Sequence, residues 1–354
     1  MSHPKRSSLP ATTTINCFSC STRLSAADTD TYSQIRPMDQ LQLQPQPSVV
    51  VRVVTCFGVS RGEFISHGSA GVVFTVNQDI VVKTASRFDS HPPGYAEEEE
   101  YSLRRIREES AVFDILAKEE NWHPNIVRCF LHTSDYIFME RAQEDMYGHV
   151  TRNHPLSQHS IYTFLDGIMN AVCWLERLGI IHGDLRPPNI LIGYKGQVKL
   201  CDFDNICRLG DYIQVGNDPY YEEKEPGDFG VADGRSEQAA IGCCAYFMST
   251  GTEPEDRSYD TSHLSMLGVI IHKSWKKEYS SIKAMSEELM ATISQETPAV
   301  SHSIQNVQED ISTARHEELV IQCRQYLSLN NLPSHPPPTD MSNLVQPSDP
   351  ITFK

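Results

Sequence analysis

The apolar positions of this chain fall first into short strand-like runs and later into helical stripes. The run Val72 to Val76 turns at Asn77-Gln78-Asp79 into Ile80-Val81-Val82-Lys83, which places one lysine at the end of an apolar strand. Just upstream, the stretch from Ile65 to Phe74 sets two apolar strand ends around Gly68-Ser69-Ala70-Gly71, a small and flexible turn. Between Ser102 and Lys118, Leu103, Ile106, Phe113 and Leu116 recur at helical spacing and predict an inward stripe, with Glu109 on it and Glu108 beside it. The four glutamates Glu97 to Glu100 read as a solvated loop or a helix start. A longer helix carries Ile161, Phe164, Leu165, Ile168, Val172, Leu175 and Leu178, and Gly179 stands where a helix cap is expected. Two short strands follow, Ile190 to Ile192 and Gln197 to Cys201, joined as a hairpin by Gly193-Tyr194-Lys195-Gly196.

The two ends differ from this middle. Residues 1–48 are rich in Ser, Thr, Gln and Pro without a sustained hydrophobic period, and are expected to be a disordered tail. Residues 298–354 are again polar; the three consecutive prolines between Pro333 and Thr339 exclude a helix there, and only Ala314 to Leu327 looks helical. With 354 residues, 39% of them hydrophobic, the chain can bury one globular unit of roughly 250 residues and still leave tails. The formal charge of −16 argues against non-specific binding to nucleic acid or an anionic membrane and would steer basic ligands in. No apolar run approaches the roughly 20 residues that a membrane span requires. Ten cysteines without framework spacing, and no secretory signal, point to a reducing compartment, cytoplasmic or nuclear. Cys17 and Cys20 have zinc-knuckle spacing but lack a second pair, and Lys5, Arg6 and Arg23 make only a weak transit-peptide pattern.

Three stretches of the middle carry chemistry. Glycines at the first turn let backbone N–H groups approach phosphate oxygens, although most such turns are plain hairpins. A carboxylate on a buried helix face needs a cation, and Lys83 is available to Glu109; the alternative is that Glu109 lies at the rim of its stripe and reaches water. The most specific stretch is Ile180-Ile181-His182-Gly183-Asp184-Leu185-Arg186-Pro187-Pro188-Asn189 and the hairpin after it. That hairpin brings Asn189 and Asp202 to one end, an amide oxygen and a carboxylate suited to Mg²⁺, while Asp184 is placed to take a proton from an attacking hydroxyl.

In this arrangement the segment from about Val50 to about Gln295 resembles a eukaryotic-type protein kinase domain, and most resembles the divergent Ser/Thr-type kinases of filamentous fungi. The resemblance implies an α+β, two-lobed fold: a small, mostly antiparallel β N-lobe with helix C (49–142, including the hinge) and a larger, mainly helical C-lobe (143–297). It implies ATP and Mg²⁺ as cofactors, a protein Ser/Thr hydroxyl as acceptor, and a monomer. The family's glycine loop falls on Gly68 and Gly71, flanked by Ile65 and Val73, with Val82 and Leu191 as further walls of the nucleotide site. Lys83 matches the phosphate-anchoring lysine and Glu109 its helix C partner. Met139 matches the gatekeeper, followed by Glu140 and then Arg141 and Ala142, which would offer backbone groups to adenine. Asp184 matches the catalytic base and Arg186 the cation beside it, with Asn189 and Asp202 as metal ligands.

Five departures qualify the resemblance. Ser66 replaces the first loop glycine, Gly183 the arginine before the base, and Asp204 the glycine after Asp202-Phe203. No Ala-Pro-Glu motif is present, and Glu237 stands for the aspartate of the central helix, so the peptide platform is altered. A small-molecule phosphotransferase of the aminoglycoside or choline kinase type, or a nucleotide-binding scaffold without turnover, are the alternatives. No Ser or Thr occurs between Asp202 and Gly234; with Gly183 in place of arginine, even modified Tyr212, Tyr220 or Tyr221 would find less to bind, which predicts activity independent of activation-loop phosphorylation.

Overall fold

Five short strands form the first sheet of the computed structural model: β1 (Phe64–His67), β2 (Val72–Thr75), β3 (Ile80–Thr84), β4 (Cys129–His132) and β5 (Tyr136–Glu140). They pair antiparallel in the order β1-β2-β3-β5-β4. The structure describes residues 63–68, 70–86, 95–119, 121–221, 223–225, 228–296 and 311–335, so the N-terminal tail and the Cys17/Cys20 pair lie outside it. Helix α1 (Tyr95–Leu116) packs its stripe of Ile106, Phe113 and Leu116 under the sheet. Glu97 and Glu98 occupy its first turn, where the helix dipole favours carboxylates, so the helix-start reading of that run is the right one.

The second lobe begins after β5 with β6 (Glu144–Asp145) and α2 (Met146–Asn153), whose N-cap Asp145 accepts from the Gly148 N–H at 2.7 Å. Helix α3 (Gln158–Arg177) buries Ile161, Phe164, Leu165, Ile168, Val172 and Leu175; Gly179 beyond its end takes φ +78° and turns the chain into β7 (Ile180–Ile181). The hairpin β8 (Ile190–Ile192) and β9 (Val198–Leu200) is present as expected, and β10 (Cys207–Arg208) pairs with β7. Helices α4 (Gln238–Thr250), α5 (Ser265–Trp275) and α6 (Ile282–Glu296) complete the lobe around the almost wholly buried α4. The architecture is the two-lobed α+β arrangement expected from the sequence.

The helix expected near the C-terminus runs as α7 (Thr313–Leu329), and it packs on the N-lobe. Leu319, Cys323 and Leu327, one helical turn apart, bury against Ile80, Val82, Phe130, Tyr136 and Phe138 on the outer face of the sheet. Asn77 Nδ2 donates to Gln322 Oε1 at 2.8 Å, and Arg315 pairs with Asp79 at 2.7 Å. Each apolar side chain so buried contributes about 1.5–3 kcal/mol, whereas the exposed ion pair adds about 0–1 kcal/mol, so packing rather than charge holds α7.

Candidate active site

Strand β3 alternates its side chains between two faces. Ile80 and Val82 join the outer cluster beneath α7, while Val81 and Lys83 face the inner side. The expectation that Val82 lines the nucleotide site is therefore corrected: the pleat puts Val81, two residues before Lys83, on the cleft face. Opposite Lys83 on β2 stands Val73, packed on the inner core, as are Met139 and Leu191. Ile65 on β1 is largely exposed. The glycine turn closes with Gly68 N–H donating to the Gly71 carbonyl at 2.9 Å. At Gly71, with φ +157°, a Cβ would meet the Thr84 carbonyl oxygen at 2.2 Å, so this close crossing over β3 admits glycine alone.

Lys83 is the junction of the site. Its Nζ lies 2.6 Å from Glu109 Oε2 and also donates to Asp202 Oδ1. Glu109 is fully buried on α1, which settles the choice between a paired and a rim carboxylate, and its other oxygen accepts from the Phe203 N–H at 3.3 Å. Phe203 packs edge-on against Phe113 of α1, with centroids 5.7 Å apart, and against His182 at 5.3 Å. Asp202 takes left-handed backbone angles (φ +67°, ψ +67°), which aim its carboxylate back at Lys83. Asp204 does not occupy a glycine-like conformation; it sits buried in a short 3₁₀ turn (Phe203–Asn205), with its Oδ2 3.4 Å from Arg105 Nη2. Arg105 Nη2 also donates to Asn205 Oδ1 at 2.6 Å. Arg105 lies one helical turn before Glu109, so α1 grips the Asp202–Asn205 segment at two points.

The catalytic loop is held by its own backbone and by α4. His182 accepts the Asp184 N–H on Nδ1 at 3.3 Å and donates from Nε2 to the Cys201 carbonyl at 2.9 Å. Asn189 Nδ2 donates to the Asp184 carbonyl at 2.8 Å and to Asp184 Oδ2 at 2.9 Å; Arg186 Nε reaches the same Oδ2 at 3.2 Å. Gly183 has φ +78°, and a Cβ there would stand 2.0 Å from the Asn205 carbonyl oxygen. Its N–H donates to the buried Glu237 Oε1 at 3.2 Å. Glu237, read from the sequence as a departure, thus anchors the catalytic loop. Tyr221 donates its hydroxyl to the same Oε1 and accepts the Leu185 N–H at 3.4 Å. Tyr220 donates to Glu253. Both tyrosines are buried, so neither presents its hydroxyl for modification; of the three named from the sequence, Tyr212 is the exposed one.

The charges define what the site can hold. Burial by itself lowers the Lys83 pKa, but Asp202, Glu109 and Asp204 outweigh it and keep the ammonium charged well above its ordinary range. Burial pushes Glu109 up to about 7 against the pull of Lys83. It raises Asp204 too, with Asp202 adding to the effect, while at Asp202 the burial penalty is overcome by Lys83 and the carboxyl stays below its usual range. Four carboxylates (Glu109, Asp184, Asp202, Asp204) meet three cationic side chains (Lys83, Arg105, Arg186), and the buried Asp204 Oδ2 accepts no hydrogen bond. With the Asn189 amide nitrogen committed to Asp184, its oxygen and the Asp202 carboxylate form a hard-oxygen donor pair, so the residues present fit a divalent cation. At the hinge, Arg141 N–H is taken by the Asp79 carbonyl at 2.9 Å and Glu140 N–H by the Arg128 carbonyl at 2.9 Å. Arg141 therefore cannot offer its N–H to a nucleotide, and the Glu140 carbonyl and the Ala142 backbone are the edge that remains. The Glu140 side chain points elsewhere, to Lys199 at 2.8 Å.

Sequence reasoning missed Asn217, whose Nδ2 donates to Asp184 Oδ1 at 2.7 Å, along with Arg105 and Tyr221. For Arg105 a signal existed, a cation one turn from a buried glutamate; for Asn217 and Tyr221 none did.

The sequence profile described as "Protein kinase domain" matches residues 60–300. The chain belongs to the protein kinase domain family. This kinase domain is 28% identical over 191 residues to the serine/threonine-protein kinase PrkC of Bacillus subtilis (strain 168), a stretch covering 51% of this chain and 28% of that protein. It is 32% identical over 127 residues to the probable serine/threonine-protein kinase PknB of Bifidobacterium longum (34% of this chain, 18% of that protein). It is 30% identical over 171 residues to mitogen-activated protein kinase kinase kinase 4 of Mus musculus (47% and 10%). The chain spans less than a third of the length of each of these relatives.

Proposed function

We propose that this kinase domain transfers the γ-phosphoryl of ATP to a Ser or Thr hydroxyl of a protein, with Mg²⁺. The observation that carries the reading is the assembly of Lys83, Glu109, Asp184, Asn189 and Asp202 around one cleft. Lys83, kept charged by its carboxylate partners, binds phosphate oxygens and is aimed at them by Glu109. Asp184 orients the acceptor hydroxyl and takes its proton as the new P–O bond forms. Arg186, tethered to Asp184 Oδ2, adds positive charge beside the transferring group. The Glu140 carbonyl and Ala142 would hold the adenine edge. Asn189 and Asp202 would hold the metal ion, which when bound neutralises charge on the phosphate oxygens. Glu237 and Tyr221, by bonding Gly183 and Leu185, keep the loop rigid so that little reorganisation is left for the moment of reaction.

Ser/Thr specificity rests on the likeness to serine/threonine-protein kinases such as PrkC, and kinship with filamentous-fungal kinases on the sequence resemblance. A cytoplasmic or nuclear monomer that binds no nucleic acid fits the composition, and among the described residues no helix is long and apolar enough to cross a membrane. The test is a peptide array with purified protein, ATP and Mg²⁺, run beside amino sugars and choline as acceptors. Phosphate on Ser or Thr of peptides supports the proposal. Transfer only to the small molecules would reassign the chain, and nucleotide binding without transfer would make it a scaffold.

A further inference from the structure

We propose that Asn217 is a positioning residue for the catalytic carboxylate, and that its side-chain amide, on a turn whose backbone is held by Tyr220 and Tyr221, gives the segment after Asp202 its working arrangement without a phosphate. The inference rests on the protein kinase reading above. Asp184 has about four lone-pair directions on its two oxygens. Two on Oδ2 are taken by Asn189 Nδ2 at 2.9 Å and Arg186 Nε at 3.2 Å, both from the catalytic loop. One on Oδ1 is taken by Asn217 Nδ2 at 2.7 Å, from a residue 33 positions further along. The direction left over is on Oδ1, beside the Asn217 amide, and there an acceptor hydroxyl must bind to surrender its proton. Asn217 thus sets the rotation of the carboxylate and borders the acceptor.

Asn217 is itself held. Its carbonyl accepts the Tyr220 N–H at 2.8 Å and the Tyr221 N–H at 2.9 Å, closing a tight turn. The Tyr221 hydroxyl then bridges Glu237 of the α4 N-cap to the Leu185 N–H, and Tyr220 donates to Glu253 beyond α4. Residues 217–221 are therefore pinned to the catalytic loop and to the floor of the lobe by neutral donors: Asn217 itself is exposed, while Tyr220 and Tyr221 are buried, where such bonds are worth most. A phospho-residue would order the same stretch through an arginine cluster, but Gly183 leaves no arginine at that place, and a side chain there would collide with Asn205.

The experiment compares Asn217→Ala and Asn217→Asp with the wild-type chain, reading kcat and KM at varied ATP and varied acceptor peptide, with Mg²⁺·ATP-induced thermal stabilisation as a check on the nucleotide site. Asn217→Ala should lower kcat about 10- to 100-fold, the size expected when a reacting group is left unpositioned, with KM for ATP changed by less than about 2-fold. Asn217→Asp keeps the volume but replaces a donor by a carboxylate facing Asp184, so it should be slower than Asn217→Ala. A side chain that only filled space would give the opposite order. The inference is overturned if Asn217→Ala keeps wild-type kcat, if Asn217→Asp is the faster variant, or if Asn217→Ala loses nucleotide-induced stabilisation together with kcat. Wild-type protein that phosphorylates no acceptor would overturn the kinase reading and this inference together, whereas an active wild type with unaffected variants would overturn this inference alone.

Discussion

Replacing Lys83 by methionine keeps the stem of the side chain and removes the charge that Glu109 and Asp202 share. Asp202, with its side chain 32% exposed, can rehydrate, but Glu109 cannot, because it is fully buried. An uncompensated buried carboxylate costs about 3–5 kcal/mol, and a way to escape that cost is to take up a proton. Burial already pushes Glu109 up to about 7 with Lys83 present, and losing Lys83 drives it further up. For a carboxyl whose folded pKa lies above its unfolded value, the folded state holds more protons. Stability is then fully present below the unfolded pKa and falls as pH rises toward the folded one. Each pH unit in that window costs about 1.4 kcal/mol, so from pH 6 to pH 8 Lys83→Met should lose up to about 2.7 kcal/mol relative to a chain without the titrating carboxyl. The Lys83→Met, Glu109→Gln double variant supplies that reference. Urea unfolding at pH 6, 7 and 8 reads the effect: the single variant should weaken with rising pH relative to the double variant, which should be the more stable of the two at pH 8. A double variant no more stable than the single one at pH 8 would refute the claim that Lys83 chiefly neutralises Glu109 in the resting site. Both variants should lose at least about 100-fold in phosphate transfer, the usual size of removing one charge-stabilising group.

Three further outcomes follow from the same geometry. Asp202→Ala should abolish metal-dependent ATP turnover while leaving the melting temperature within a few degrees, since Lys83 keeps Glu109; unchanged turnover would remove Asp202 from the metal site. Leu319→Ala, in the seam between α7 and the sheet, should cost about 2–5 kcal/mol in denaturant unfolding, and a loss below about 0.5 kcal/mol would mean that α7 does not dock there. Phosphatase treatment and Tyr212→Phe should each leave transfer by bacterially expressed protein unchanged, because Tyr220 and Tyr221 are buried and hydrogen-bonded; a large loss in both would make the segment a phospho-switch.

How much of this was legible beforehand depended on whether partners lay close in sequence or shared a period. Glu109 could be placed because the helical stripe of Ile106 and Phe113 put it on the buried face. Asp184, Asn189 and Asp202 could be placed because one short hairpin fixes their separation. Val82 was misplaced by one residue, and the pleat of β3 itself held the correction: if Lys83 faces the cleft, so does Val81. The run Ile80-Val81-Val82 also carried an unread message, for a strand apolar on both faces needs cover on both. α7 is that cover, and its stripe at Leu319, Cys323 and Leu327 was visible, but nothing local ties a helix to a sheet more than 170 positions away. Tyr221 and Asn217 were illegible for the same reason: their partners lie 16 to 36 positions off, across irregular backbone with no period to read.

In the proposed reaction Asp184 takes the proton of an acceptor hydroxyl in a nucleotide site built by Lys83, Asn189 and Asp202. The most direct measurement is single-turnover transfer of labelled γ-phosphate to the best array peptide by wild-type and Asp184→Asn protein, alongside Mg²⁺·ATP-induced thermal stabilisation of both. Asp184→Asn should bind nucleotide like the wild type but transfer at least about 100-fold more slowly, because an amide fills the carboxylate's place and cannot take the proton. Transfer at the wild-type rate by Asp184→Asn would contradict it.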